Sequence, residues 1–227
     1  MILTQKIVRL AKFFLKFSNN VTNTHEEALM DLDFLTLPEQ VGFDPITYQY
    51  FNQLLNNRTV VFNKEVEEDI VETVYLPLRD FEADDSTAPV TLILNSCGGS
   101  VSDGFFLAHY LSHYSKPLTI LVPGYAASMA AVILAGGGKN ANITRKCYPS
   151  TYALIHDGYV ALTASEARTA DDIMDFNRAK DKEIRQFIID NTNITPEQYD
   201  SKARQQWFLT AKEMKEYNLI DEIIGCD

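Results

Sequence analysis

Cysteine is scarce in this chain, and its spacing excludes two classes of small protein. The 227 residues contain three cysteines, Cys97, Cys147 and Cys226, and no two of them form a Cys-x-x-Cys pair. An odd number without that spacing argues against both a disulfide framework and a structural zinc site. We therefore expect a reducing, cytoplasmic environment and no metal site.

Basic residues are also few, and most of the chain has an excess of acid. There are 20 Lys and Arg residues against 31 Asp and Glu residues, which gives a formal net charge of -11. Residues 1–17 hold four basic side chains and no acidic one, so the remainder is more acidic still. Because phosphate binding needs a concentrated basic patch, we do not expect nucleic acid as a partner.

Long apolar runs are missing from the first residues of the sequence. No unbroken apolar stretch in residues 1–17 is longer than three residues, as at 13–15, and this is too short for a signal sequence or a membrane span. Apolar and basic residues alternate there with helical spacing, which predicts a basic amphipathic helix. Such a helix fits an anionic membrane surface, or it covers apolar surface of its own domain or oligomer; we do not favour the membrane.

The apolar content of the chain and its alternating strand and helix patterns indicate a packed α/β domain. Apolar residues make up 46% of the chain, as in a soluble globular protein. Residues 18–44 are polar and acidic, so we predict an N-terminal extension over 1–44 and one domain over 45–227. Alternating strand and helix patterns predict a largely parallel sheet with helical crossovers. The predicted helices cover 47–55, 65–78, 104–113 and 128–135, and the predicted strands cover 59–62, 90–94, 118–122 and 152–155.

The last third of the chain begins with a long helical pattern. Residues 165–191 contain neither Gly nor Pro, and a helix of that length is about 40 Å long. Because this exceeds what a small domain needs to cover itself, we expect part of its apolar stripe to face another subunit; a surface helix of a monomer is the alternative. A strand at 207–209, a helix capped by Thr210 and a strand at 220–224 are predicted to follow.

One serine lies in a setting suited to nucleophilic chemistry. Ser128 follows a strand end with turn residues and precedes an apolar helical run, so it is predicted at the N-terminus of a buried helix. There the helix dipole and free N–H groups favour negative charge. The same pattern is typical of an ordinary N-cap serine, and it lacks the Gly-x-Ser-x-Gly elbow of α/β-hydrolases.

A serine nucleophile needs a base, and three of the four histidines lie within predicted elements or at their ends. His156 ends an apolar strand, at the edge where a parallel sheet presents functional groups. His109 and His113 share a helix face but lack the glutamate of a zinc-protease helix, so we interpret them as a partly exposed pair. His156 is therefore the candidate base.

A glycine turn upstream supplies candidate oxyanion donors. Gly98 and Gly99 follow the strand at 90–94, and their backbone N–H groups could face a developing oxyanion. Neither Gly-x-Gly-x-x-Gly nor a Gly-Lys-Ser/Thr ending is present, so a nucleotide site is unsupported and no cofactor is expected. Cys97 at the same turn is a rival nucleophile, but we interpret it as a structural loop cysteine.

Taken in this order, these segments resemble the proteolytic subunit of the Clp protease, the ClpP family of cytosolic serine peptidases. The resemblance extends over about residues 45–225. It implies a crotonase-like α/β fold in which Ser128 attacks the peptide carbonyl and His156 acts first as base and then as acid. The backbone N–H groups of Gly99 and Met129 would form the oxyanion hole. The motifs that carry the resemblance lie at 54–62, 92–101, 124–131, 148–156 and 207–224.

The same resemblance implies an assembly and partners. Family members form heptameric rings that stack into a chamber, with the long helix at about 165–191 interlocking the rings. A AAA+ unfoldase usually feeds the chamber with unfolded proteins or peptides. Residues 1–44 are much longer than the usual leader of the family, which leaves a removable propeptide, a partner-docking arm and a pore lid as alternatives.

Two departures from the family pattern bear on activity. The glycine turn has Cys97 where proline is usual, which could loosen the loop. The position expected for the triad aspartate is Gln206, whose oxygen can accept from an imidazole N–H but brings no charge. Loss of the carboxylate costs about 10⁴ in rate in a well-studied triad. Asp200 and Asp157 are alternative groups for orienting the histidine.

Three functions are consistent with these residues. The first is a serine endopeptidase that works slowly or conditionally inside an oligomeric chamber. The second is a weakly active or non-catalytic ring subunit that acts in assembly or partner binding, which Gln206 and Cys97 motivate. The third, an enzyme acting on acyl thioesters through the same double-glycine turn, is disfavoured because no acid/base pair suited to enolate chemistry is evident. We expect the first.

Overall fold

The computed structural model describes residues 45–157 and 170–226. The predicted basic helix over 1–17 and the linker after it lie outside the described residues. Residues Phe51–Asp227 form one compact unit, which is distinct from Met1–Tyr50. No helix of the described ranges is long and apolar enough to cross a membrane.

Helices and strands alternate along the described chain. In chain order they are α1 (Pro45–Asn56), β1 (Thr59–Phe62), a π-helical turn (Val71–Tyr75), α2 (Leu76–Ala83), β2 (Val90–Leu94), α3 (Val101–Ser112), β3 (Leu118–Val122), β4 (Tyr125–Ala127), α4 (Met129–Gly136), β5 (Ile143–Cys147), β6 (Tyr152–Ile155), α5 (Ala170–Asn191), α6 (Pro196–Lys202), β7 (Trp207–Thr210), α7 (Ala211–Glu216) and β8 (Glu222–Ile223).

The larger of two sheets is parallel throughout. Its strand order is β1-β2-β3-β5-β8, and every neighbouring pair is parallel. Along β2 and β3, alternate residues are fully buried and half-buried, as expected when helices cover a sheet. The predicted α/β architecture with a largely parallel sheet is confirmed, and the bounds of β1, β2, β3 and β6 match the predicted strands.

The prediction of a helix over 65–78 is wrong at both ends. Val66 forms a parallel bridge with Gly99, so its backbone is bonded to the glycine turn and not to a helix. Regular α-helix begins only at Leu76 and runs to Ala83, after the π-helical turn. Pro77 has no N–H to donate, so the helical hydrogen bonding changes its spacing just before it.

Three of the predicted site residues lie at the ends of strands in a smaller sheet: Ser128 follows β4, His156 follows β6 and Gln206 precedes β7. β4 pairs with β6 in parallel, and β6 pairs with β7 antiparallel. β4 was not predicted, because three residues are too few to show a period. Helix α4 follows it directly, and all eight of its residues are buried. An all-apolar helix of this kind has no solvent face and so belongs to the core.

The long helix is described from Ala170 to Asn191, which corresponds to about 33 Å at the usual rise per residue. Ile184 and Ile188 in its second half are buried, whereas Phe176 in its first half is 60% exposed. The start predicted at 165 lies outside the described residues. The prediction that part of its apolar stripe faces another subunit stays a prediction.

Candidate active site

Ser128 lies at the junction of β4 and α4 in a backbone conformation that is rare for a serine. Its φ is 54° and its ψ is -125°, so it is one of three described non-glycine residues with positive φ. Its N–H donates to the carbonyl of Leu154 on β6 at 2.8 Å. Strain of this kind clusters at functional sites and persists only where neighbouring contacts enforce it.

The hydroxyl of Ser128 does not serve as a helix cap. Ser128 occupies the N-cap position of α4, yet its side chain makes no capping hydrogen bond. By contrast, the Thr210 side chain caps α7 by accepting a bond from the N–H of Glu213, as predicted. The ordinary N-cap interpretation therefore does not account for Ser128.

The glycine turn packs directly on this serine. Gly98 has φ of 94° and Gly99 has φ of 145°, a region that favours glycine. A Cβ on Gly98 would lie 2.6 Å from the Cβ of Ser128 and 2.8 Å from the nitrogen of Met129. Only glycine allows the turn to approach the serine this closely.

Two backbone donors border Ser128 without a partner. Among the described residues, no hydrogen bond uses the N–H of Gly99 or of Met129 as its donor. Met129 opens α4, where the first N–H groups have no partner within the helix and the dipole favours negative charge. The two predicted oxyanion donors are thus backbone groups left free on this side of the site.

His156 follows β6 directly, and β6 pairs with β4, the strand that precedes Ser128. The pairing of Ala127 with Leu154 brings the ends of β4 and β6 together, so Ser128 and His156 leave adjacent strands at the same edge. His156 is half-buried. No hydrogen bond within the described ranges joins the two side chains. Catalytic hydrogen bonds are often long in unliganded enzymes and shorten when substrate binds.

Gln206 directly precedes β7, and His156 directly follows β6. β6 and β7 pair Leu154 with Phe208 and Ile155 with Trp207. The ladder ends there, because the N–H of Asp157 donates to the carbonyl of Ala203 at 2.8 Å, so His156 and Gln206 are the first residues beyond it. Gln206 is exposed, and its side chain has no hydrogen bond to another described residue.

The two alternative carboxylates belong to a neighbouring cluster. Arg185 donates to both oxygens of Asp200, at 2.6 and 2.8 Å, and these hydrogen bonds lower the pKa of that carboxyl. Asp157 lines a small pocket with Asp200 and the buried Tyr199. Within the described part of the chain, neither carboxylate nor Gln206 hydrogen-bonds the imidazole of His156. Asp200 is already held by Arg185, whereas Gln206 lies at the end of the strand that pairs with β6.

Other predicted residues have roles in packing. The ring of His109 stacks on Phe105 and meets the edge of Phe187, and a ring nitrogen of His113 lies 2.9 Å from the carbonyl oxygen of His109. Over residues 45–157 and 170–226, no group of three His, Cys, Asp or Glu residues is placed to hold a metal ion. Cys97 is exposed on the outside of the glycine turn.

Two residues at the end of β2 were not predicted from the sequence. The side-chain oxygen of Asn95 accepts from the N–H of Tyr125 at 3.0 Å, which attaches β4 to β2. The hydroxyl of Ser96 accepts from the N–H of Gly98 at 3.2 Å. The available signal was a pair of polar residues that directly follows a buried strand and lies one residue before two glycines.

Known proteins share this sequence pattern and this fold. A family model described as Clp protease matches residues 44–227. An ATP-dependent Clp protease proteolytic subunit 1 from Shouchella clausii (strain KSM-K16) is 27% identical over 195 residues, which cover 86% of this chain and 99% of that protein. The structure of a ClpP1 point mutant from Listeria monocytogenes matches with a TM-score of 0.62 at 23% identity, over 77% of this chain and 95% of that chain, and it confirms the predicted fold. The chain belongs to the Clp protease family.

Proposed function

We propose that this protein is a serine endopeptidase in which Ser128 is the nucleophile. The observation that carries the proposal is the setting of this serine. Its hydroxyl is not used as a cap, its backbone is held in a strained conformation, and two unpaired N–H groups of the described chain lie beside it. This is the arrangement that acyl transfer needs, since negative charge develops on the carbonyl oxygen during attack.

The reaction would follow the serine protease sequence. His156 takes the proton from the Ser128 hydroxyl as the oxygen attacks the peptide carbonyl, and the N–H groups of Gly99 and Met129 bind the oxyanion. The tetrahedral intermediate collapses, the peptide C–N bond breaks, and His156 gives its proton to the departing amine. Water, deprotonated by His156, then hydrolyses the ester and regenerates the serine.

Gln206 is proposed as the residue that orients His156. Its amide oxygen can accept the imidazole N–H and select the tautomer in which the other ring nitrogen faces Ser128. It cannot stabilise the imidazolium by charge, because it is neutral. A slow enzyme is therefore expected, since replacing the triad aspartate by an amide costs about 10⁴ in rate in a well-studied triad, with the wrong tautomer contributing to that loss.

We further propose that the protein acts as an oligomer in the cytoplasm. Phe176 on α5 is 60% exposed and Met174 is 38% exposed, and large exposed apolar side chains on a long helix fit contact with other copies. Unfolded proteins or peptides are the proposed substrates and a AAA+ unfoldase the proposed partner, by analogy with the family.

The first test is covalent labelling with a fluorophosphonate, which reacts with activated serines. Wild-type protein should be labelled, and Ser128→Ala should not. Ser112→Ala removes an exposed hydroxyl on α3 and serves as a control that should label like wild type. Equal labelling of wild type and Ser128→Ala would contradict the assignment of the nucleophile.

A second candidate is a non-catalytic ring subunit, which the exposed and neutral Gln206 favours. Gln206→Asp separates the two candidates, because a carboxylate would restore the charge of the expected triad aspartate. For an enzyme limited by that charge, we expect kcat for a fluorogenic peptide to rise about tenfold to a hundredfold. Gln205→Asp adds the same charge one residue away and should leave kcat near wild type.

The opposite result supports the second candidate. If wild type and Gln206→Asp are equally inactive, while a mixture with an active Clp peptidase subunit assembles and hydrolyses peptide, then the chain acts through assembly. Size-exclusion chromatography of the mixture shows whether the two chains form one particle.

A further inference from the structure

Ser96 connects the glycine turn to the strand that leads to Ser128. Its main chain pairs with β4, since its N–H donates to the carbonyl of Tyr125 at 3.2 Å and its carbonyl accepts from Ala127 at 2.9 Å. Its hydroxyl accepts the N–H of Gly98 at 3.2 Å. One residue therefore bonds both to the strand before the nucleophile and to the turn that packs on it.

The turn needs such an attachment. Gly98 and Gly99 both have positive φ, and glycine loses more conformational freedom on folding than any other residue. Cys97, between Ser96 and the glycines, is exposed, and its Sγ makes a weak contact at 3.9 Å to the carbonyl of Gly98. It also lacks the ring with which a proline would restrict φ.

The hydroxyl of Ser96 is suited to this role because it is buried. Ser96 is 1% exposed, and the atoms of its hydrogen bond to Gly98 are shielded from water. A buried N–H that loses its acceptor carries a full desolvation penalty, so Gly98 is strongly held in this orientation. On its other side, the carbonyl of Gly98 accepts from Val66 at 2.7 Å, which fixes the peptide that links Gly98 to Gly99.

From this geometry we infer that Ser96 is a positioning residue that fixes the direction of the Gly99 N–H toward the oxyanion. The inference rests on the proposed function, because it assigns the oxyanion to that donor. Ser96 does not touch the reacting atoms. It holds the Cys97–Gly98 peptide through the N–H of Gly98, while Val66 holds the carbonyl of the next peptide. Together these bonds limit the rotation about Gly98 that would turn the Gly99 N–H away, and oxyanion donors act only at short, well-directed distances.

The experiment compares Ser96→Ala with wild type in the full-length protein, using a fluorogenic peptide. We expect kcat to fall about tenfold while KM changes less than about twofold, because the lost interaction acts on the transition state. Ser96→Thr keeps the hydroxyl and should recover most of the lost kcat. Ser100→Ala is the matched control, since Ser100 lies at the other end of the turn and its hydroxyl accepts from Asp103 at the start of α3.

Hydrogen exchange of the segment 94–104 gives a readout that does not depend on turnover. Ser96→Ala should speed exchange at the Gly98 amide, whereas Ser100→Ala should affect the first turn of α3 and leave kcat near wild type. If Ser96→Ala does not fold, Ser96→Cys replaces it, since its slightly larger thiol still fills the site but offers a poorer acceptor.

The outcomes separate this inference from the proposed function. If wild type is labelled at Ser128 and hydrolyses peptide, but Ser96→Ala matches it in kcat and in exchange, the positioning role alone is overturned. If Ser96→Ala and Ser100→Ala lower kcat equally, the effect is general destabilisation and the role is again overturned. A wild-type protein that neither labels nor turns over overturns the proposed function and this role together.

Discussion

Ser128 keeps a conformation that costs free energy, and the residues around it explain why. A non-glycine residue in such a region costs about 1–3 kcal/mol. The bond from its N–H to Leu154 and the fully buried helix that follows hold it in place. The strain is a property of one residue, but the constraint that maintains it comes from two strands and a helix.

The three cysteines differ in their surroundings, which leads to a prediction for single residues. Cys147 is fully buried, and burial raises the pKa of its thiol to about 11, against a smaller lowering by a hydrogen bond to Thr151. Near pH 8 only about one thousandth of that thiol is the reactive thiolate. Iodoacetamide should therefore modify Cys97 and Cys226, which are exposed, and leave Cys147 intact in the folded protein.

Mass spectrometry of the alkylated protein checks this pattern. Unfolding in guanidinium should make all three cysteines reactive, which is the control. Raising the pH toward 11 should increase the reactivity of Cys147 only if the folded protein also admits the reagent. Equal modification of Cys147 and Cys97 in native protein at pH 8 would contradict its burial in β5.

Among the strands and helices, the edge strand β8 depends on a buried arginine. Arg145 on β5 is 1% exposed. Its side chain donates to the carboxylate of Asp221 and to the backbone carbonyl and side-chain oxygen of Asn218. The backbone N–H of Arg145 also donates to Asp221 at 2.6 Å. This cluster attaches the turn before β8 to β5, where β8 itself forms only two residue pairs.

Asp221→Asn should therefore lower the stability of the fold. We expect the free energy of unfolding to fall by about 2–3 kcal/mol. This is at or below the low end of the range for fully buried pairs, because Asp221 is partly exposed. For a domain of this size that corresponds to a fall in Tm of roughly 5–10 °C, measurable by circular dichroism.

Glu222→Gln is the control for this prediction. Glu222 pairs with Lys146 on the same two strands, but both side chains are substantially exposed. Surface pairs of this kind contribute about 0–1 kcal/mol, so this variant should melt close to wild type. Equal losses of stability in the two variants would show that the buried arginine cluster contributes no more to stability than the surface pair does.

For the molecule as a whole, the proposed assembly can be tested at the apolar side chains that α5 exposes. The exposed Phe176 on α5 leads us to expect that Phe176→Ser weakens association between copies. Its neighbour Asp175 is exposed and bonded only to Arg178 among the described residues, so Asp175→Ser serves as the control. Analytical ultracentrifugation should show smaller particles for Phe176→Ser and wild-type particles for Asp175→Ser.

A change in assembly should leave the fold of each subunit intact. Phe176 lies in the exposed half of α5, away from the buried Ile184 and Ile188 that attach the helix to the core. We therefore expect the far-ultraviolet circular dichroism of Phe176→Ser to match wild type. Wild-type particle size for this variant would contradict the proposed role of α5 in oligomer contacts.

Elements with a strong local pattern could be predicted from the amino-acid sequence. Strands β1, β2 and β3 are runs of apolar residues long enough to show their period, and their predicted bounds match the structure. The motifs also identify the family, because motif order is a property of the chain alone. Ser128, His156 and the candidate oxyanion donors could all be named from these motifs.

Contacts between segments that lie far apart in the sequence, by contrast, are seen only in the tertiary structure. Strand β4 and the bridge from Val66 to Gly99 form because partners far along the chain supply their hydrogen bonds, and no local pattern encodes them. The same holds for the register that brings the start of β7 to the end of β6, and for the bond by which Ser96 holds the glycine turn. The sequence by itself determines the residue types and the local period of the hydrophobic residues. Pairing between strands depends on the packing of the whole fold.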